Sequence, residues 1–296
     1  MKKTTLRSGL LLFTTALIWG VAFVAQSAGM DYVGPFTFNA VRSIIGGFVL
    51  IPCIWFLNRG KARPESTPQS RRDLLLGGVL CGVFLAVASS FQQFGIQFTS
   101  VGKAGFITAL YILLVPLLGL LFGRRPGWKV WLAVAVATAG MYLLCVKDGF
   151  SIGFGDLLVM VCALLFAVHI LIIDYFSPRA DGVKMSCIQF FTCGLLCTVG
   201  MLLFEKPSLP QILDAWAPIL YAGVMSCGVA YTLQIVGQRD ADPTVASLIL
   251  SLESVVSVLA GWLLLHQSLS LRELGGCALV FCAIIFAQLP SRAPDA

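Results

Sequence analysis

Ten apolar stretches, each about as long as a bilayer crossing, fill nearly all of this 296-residue chain. They lie at roughly 8–28, 36–57, 73–98, 101–122, 128–146, 155–175, 185–204, 214–237, 243–265 and 271–289, in two consecutive sets of five. About 20 residues rising about 1.5 Å each span the roughly 30 Å hydrocarbon layer, so the pattern predicts transmembrane helices. No stretch shows continuous β-alternation, and in lipid a helix satisfies its own backbone. With 58% hydrophobic and 11% charged residues, the chain has too little polar sequence to coat a soluble core. The odd number per set matters. If the sets share an ancestor, five crossings turn the second upside down, as in many secondary transporters. The expected fold is an all-α polytopic membrane protein of ten helices, one five-helix repeat in residues 1–147 and its inverted counterpart in 148–296.

Basic residues set the expected orientation. Lys2, Lys3 and Arg7 precede the first span, and Arg59, Lys61, Arg63, Arg71 and Arg72 fill the hydrophilic loop 58–72. Arg124, Arg125, Lys129, Arg179, Lys184, Arg239 and Arg292 occupy the later even-numbered loops and the tail. The odd-numbered loops hold only Lys103, Lys147, Lys206 and Arg272, a bias of 15 to 4. By the positive-inside rule both termini face the cytoplasm of a multi-pass protein in the plasma or inner membrane. The net charge of +6 is thus a topology signal. Its residues sit in separate loops rather than along one face, so no nucleic-acid partner is expected. Lys2-Lys3, an apolar run and Ala25-Gln26-Ser27 also fit a cleaved signal peptide. Cleavage would leave nine spans and unpair the halves. Against it, Ala16-Leu-Ile-Trp19 echoes Ala163-Leu-Leu-Phe166.

The ten cysteines lie almost wholly within spans, form no CxxC pair, and are joined by only two histidines, His169 and His266. Apolar packing accounts for them better than disulfides or a metal, and no metal site is expected. The GxxxG spacings Gly78–Gly82 and Gly119–Gly123 permit close helix approach but, among 29 glycines, single out no interface.

Ser89, Ser90, Gln93 and Gln97 in span three are echoed by Ala230, Tyr231, Gln234 and Gln238 in span eight. Spacings of three and four put each polar set on one helical face. Glutamines are costly against lipid, so both stripes should face protein or water.

The chain resembles the drug/metabolite transporter superfamily, in particular its ten-helix EamA branch. The residues that carry the resemblance are Ala16-Leu-Ile-Trp19-Gly20, Ala40-Val-Arg42, and Lys103-Ala-Gly-Phe-Ile-Thr-Ala-Leu-Tyr111 leading to Val115-Pro116. Pro243-Thr-Val-Ala-Ser-Leu-Ile-Leu-Ser-Leu-Glu253 and Ala260-Gly-Trp-Leu-Leu-Leu complete the series. Two departures stand out. Ser254 occupies the proline place of the usual Leu-Glu-Pro, and His266-Gln267 replace Gly-Glu. The resemblance implies a central cavity enclosed by helices one to four and six to nine, with helices five and ten at the periphery, a common place for homodimer contacts. It also implies alternating access for a small metabolite, usually outward.

Glu253 lies about ten residues into span nine, about 15 Å deep, where a carboxylate must be paired, hydrated or protonated. It is a candidate proton-coupling residue, or else a protonated hydrogen-bond donor between helices. Arg42, about 10 Å from the outer end of span two, could bind a substrate carboxylate, snorkel outward or pair with Asp31. Asn39 lies one turn before it, and Ser186 and Gln189 hold the related places in span seven. His169 is a proton-relay candidate or a structural histidine. Trp19, Tyr111 and Tyr231 offer aromatic walls to a substrate or ordinary packing. The candidate cavity set is therefore Trp19, Asn39, Arg42, Gln93, Gln97, Tyr111, Gln189, Tyr231 and Gln234, with Glu253 and His169 as proton groups.

No catalytic residue or cofactor is expected. Ser226 with His266 lacks the GxSxG setting of a serine hydrolase, and no Walker A motif is present. The expected function is secondary active export of a small metabolite such as an amino acid, coupled to protons through Glu253. An uncoupled facilitator or exchanger and a structural or sensory membrane protein remain alternatives.

Overall fold

The computed structural model describes residues 5–59, 67–145, 152–264 and 270–288. Lys2, Lys3, Lys61, Arg63, Lys147, His266, Gln267 and Arg292 lie outside the described residues. The helices are α1 (Leu6–Gly29), α2 (Pro35–Asn58), α3 (Pro68–Ile96), α4 (Val101–Ala109), α5 (Tyr111–Leu121), α6 (Trp128–Cys145), α7 (Phe154–Phe176) and α8 (Gly182–Phe204). There follow α9 (Leu209–Asp214), α10 (Trp216–Leu220), a π-helical segment (Tyr221–Ala230), α11 (Tyr231–Gln238), α12 (Pro243–Leu250), α13 (Leu252–Leu264) and α14 (Leu271–Gln288). Each of the ten apolar stretches is helical over most of its described residues. Among the described residues eight helical spans are long and apolar enough to cross a membrane, and Trp128–Leu143 is a shorter apolar helix.

The starts follow from local chemistry. Thr5, Thr67 and Ser100 accept backbone N–H groups of Ser8, Ser70 and Lys103, while Asp181 and Asp242 do the same for α8 and α12. Pro35, Pro68 and Pro243 stand at first positions, where the missing N–H is harmless. Gly123, at φ +73°, ends α5: the next N–H, from Arg124, returns to the Gly119 carbonyl at 3.0 Å.

Three stretches expected as single helices are interrupted. The fourth breaks at Leu110, where N–H groups bond three residues back, Leu110 to Ile107 and Leu113 to Leu110. The ninth breaks at Ser251 although no proline is present. Ser247, Ser251, Ser254 and Ser257 each donate a hydroxyl to the carbonyl three residues earlier, at 2.7–2.9 Å. Such back-bonding competes with the helical ladder and bends it. The eighth contains ten π-helical residues, a conformation concentrated at functional positions.

α2 lies along α8, α3 along α7 and α8, and α6 along α14; α1 packs on α13, the π segment and α11. The span Pro243–Leu264 is the most enclosed, with 78% of its most apolar window buried against 33% for Pro35–Leu57 and Gly182–Phe204. Glycines set the closest approaches. A Cβ on Gly20 would stand 2.3 Å from the Val256 Cβ and 2.9 Å from the Glu253 carbonyl oxygen. Gly78 and Gly82 do form an interface, against Ile188 and Thr192 of α8, whereas Gly123 of the other GxxxG pair only ends a helix. Phe48, Trp55, Phe56, Leu195, Leu202 and Phe204 are exposed. An outer surface of this kind suits lipid rather than water.

Candidate functional site

Between the two halves lies a narrow cavity of about 30 Å³. α1 contributes Trp19, Phe23 and Gln26, one helical face at spacings of four and three. Arg42 comes from α2, Gln92 from α3, Thr108 and Tyr111 from either side of the first break, and Phe166 and Ile170 from α7. Ser226 comes from the π segment, Tyr231 and Gln234 from α11, and Glu253 from the first turn of α13. Every one of these side chains is buried, so the cavity is enclosed.

Tyr111 Oη donates to Glu253 Oε1 at 2.9 Å, joining the halves at the two helix breaks. Gln92 Nε2 donates to Thr108 Oγ1 at 3.1 Å. The rings of Trp19 and Tyr231 lie 4.5 Å apart, and those of Phe190 and His169 approach Tyr231 edge-on at 5.5 and 6.1 Å. Arg42 is only 4% exposed, and its guanidinium stands 5.5 Å from the Phe38 ring. Among the described residues no carboxylate pairs with it, Asp31 included, and its Nε has no hydrogen-bond partner. Trp19 Nε1, Gln26 Oε1 and Gln234 Oε1 are likewise buried without protein partners.

Trp19, Arg42, Tyr111, Tyr231, Gln234 and Glu253 thus line one cavity. Five other candidates stand apart. Gln93 donates to the Gln26 carbonyl at 2.9 Å, so its neighbour Gln92, missed in the sequence, takes the lining position. Gln97 is exposed at the C-terminus of α3. Asn39 is buried one turn from Arg42. Gln189 is buried against His169 Nε2 at 2.9 Å, and neither lines the cavity. Ser89 bonds within its own helix, and Gln238 donates to the Ile170 carbonyl. The sequence reading also passed over Phe23, Gln26, Phe166 and Ile170. The face shared by Trp19, Phe23 and Gln26 was a usable signal.

Polar ties also join helices at both ends of the bundle. At the end where α1 finishes, Lys103 Nζ meets Asp156 Oδ2 at 2.5 Å, and Thr99 and the Gly153 N–H also donate to that carboxylate. At the same end Glu205 accepts the N–H groups of Phe36 and Thr37, both at 2.8 Å, and the Thr37 hydroxyl at 2.6 Å. It caps α2 from the end of α8 and answers the positive pole of that helix. At the opposite end Arg124 pairs with Asp174.

A lipid-faced bundle of membrane-length helices around an enclosed, polar-dotted cavity defines a multi-pass membrane transporter. The chain matches the EamA-like transporter family over residues 6–146 and again over 153–288, and it belongs to that family. A protein named uncharacterized transporter from Archaeoglobus fulgidus is 29% identical over 283 residues, covering 94% of this chain and 84% of that one. Protein PecM of Dickeya dadantii is 26% identical over 283 residues, with 93% and 90% covered. Uncharacterized transporter YoaV of Bacillus subtilis is 22% identical over 281 residues, with 92% and 94% covered. A solved crystal structure shares the fold at TM-score 0.77 and 22% identity, covering 95% of this chain and 96% of that chain.

Proposed function

We propose that this transporter exports a small metabolite such as an amino acid by alternating access, drawing on the proton gradient through Glu253. The observation that carries the reading is the buried Glu253 carboxylate on the wall of an enclosed cavity between the two halves. A carboxylate can take a proton when the cavity opens to one side and release it when it opens to the other. The polar ties at the two ends of the bundle are candidate gates. His169, held by Gln189 behind Tyr231, supports the wall rather than the proton path.

We read the chain as two inverted repeats. The double family match and the related pairings of α3 with α7 and of α1 with the π segment and α11 support this. The basic bias supports cytoplasmic termini in the cell membrane. The relatives' names support transport over a structural or sensory role.

Comparing metabolites in the medium of cells with and without the protein identifies the solute. Reconstituted protein then accumulates that solute under an imposed pH gradient, and Glu253→Gln loses accumulation while keeping downhill exchange. A folded Glu253→Gln protein with undiminished accumulation would make the uncoupled exchanger the better reading.

A further inference from the structure

Arg42 is the one lining residue that carries a fixed positive charge. The residue is 4% exposed and makes no ion pair among the described residues, and its Nε has no hydrogen-bond partner there. The aromatic face of Phe38 at 5.5 Å is its recorded cation contact. A buried guanidinium is costly unless an anion and hydrogen-bond acceptors meet it. Its planar fork suits the two oxygens of a carboxylate. Trp19 Nε1 on the same cavity is a second buried donor without a partner.

The charge balance of the wall narrows the anion. Glu253 lines the same cavity and is engaged by Tyr111. With one arginine and one glutamate present, a dianionic phosphate would leave an excess of negative charge in an enclosed space. A single carboxylate balances Arg42, and a cationic donor elsewhere on the solute balances Glu253 when that group is charged, so solute and proton occupy the site in turn. The remaining wall sets the apolar faces of Phe23, Phe166, Ile170 and Tyr231 beside the polar Gln92, Thr108 and Ser226. The unpartnered acceptors Gln26 Oε1 and Gln234 Oε1 call for a donor on the solute. A free volume of about 30 Å³ limits the solute to a small molecule that enters as the surrounding side chains part.

We propose that Arg42, assisted by Trp19, anchors the carboxylate of the transported solute, which is a small monocarboxylate bearing a hydrogen-bond donor and an apolar remainder. This rests on the transporter reading above, which makes the cavity the solute site.

The test uses the full chain, purified in detergent and incubated with the small-molecule extract of the expressing cells. Retained molecules are released and identified by mass spectrometry. They should carry one carboxylate, and the amide of the best-retained acid should bind about ten-fold more weakly or worse. Arg42→Gln should lose retention, Arg42→Lys should keep part of it through charge, and Trp19→Phe should weaken it a few-fold. Thermal unfolding checks each variant; should Arg42→Gln fail to fold, Arg42→Lys and the amide comparison decide. Retention of solutes that lack a carboxylate instead, equal binding of acid and amide, full retention by folded Arg42→Gln, or no retention at all overturns the assignment. Flux of the same acid in proteoliposomes is measured separately. Binding without flux overturns the transport reading and leaves the anchor standing, whereas flux of a solute lacking the acid overturns the anchor alone.

Discussion

Tyr111 and Glu253 each stand in the first turn after a helix break, and the phenol of one donates to the carboxylate of the other across 2.9 Å. The breaks at Leu110 and Ser251 thus bring together, from opposite halves, a phenol and a carboxylate on the cavity wall. Helix interruptions leave backbone groups free of the regular ladder and recur at transporter sites.

Tyr111→Phe removes that donor and keeps the ring. The protein should lose about 1 kcal/mol of stability, in line with polar contacts inside membranes. Solute exchange measured across pH should show a displaced profile. An unmoved profile alongside the expected stability loss would assign the contact to packing alone.

Gly20→Ala should damage folding, because its methyl group would meet Val256 and the backbone of α13. Val256→Ala alone should cost about 1–2 kcal/mol, as small core truncations do. The double variant should recover part of the loss, read as thermal midpoint and monodisperse yield. Absence of any recovery would mean that the Glu253 carbonyl sets the limit.

Glu205→Ala strips three hydrogen bonds from the start of α2 and should destabilise the protein by about 1–2 kcal/mol. Thr37→Val removes one of the three and should cost less. Denaturation in detergent measures both, and equal losses would contradict the capping account.

Arg179 and Lys206 lie exposed at opposite ends of the bundle. In a background without native cysteines, Lys206→Cys should react with an impermeant thiol reagent added to intact cells, and Arg179→Cys should not. The reverse pattern would invert the orientation taken from the basic residues.

Element existence was legible because hydropathy alone dictates where helices must lie in lipid. The breaks were not. Those at Leu110 and Ser251 arise from hydroxyl and backbone groups bonding three residues back, and no proline marks either point. The serine ladder is visible only as four serines among aliphatic residues. For the site, charge and aromaticity pointed to Trp19, Arg42, Tyr111, Tyr231 and Glu253, since such groups are conspicuous inside a membrane. Glutamines were harder to place. Adjacent residues differ by about 100° around a helix, so a stripe drawn through Gln93 and Gln97 missed Gln92 by one step. Gln97 stood too near the helix end to remain enclosed.

α7 is fastened to the chain around α4 and α5 at both of its ends, through Asp156 to Lys103 and through Asp174 to Arg124. α1 is held by a different kind of contact: Thr15 donates to the Ala230 carbonyl, Tyr221 to the Ile18 carbonyl, Gln93 to the Gln26 carbonyl, and Gly20 sits against Val256. Among the described residues, then, one wall of the cavity is riveted by charge at its rims, whereas the wall that carries Trp19 is joined by neutral hydrogen bonds and close packing along its length.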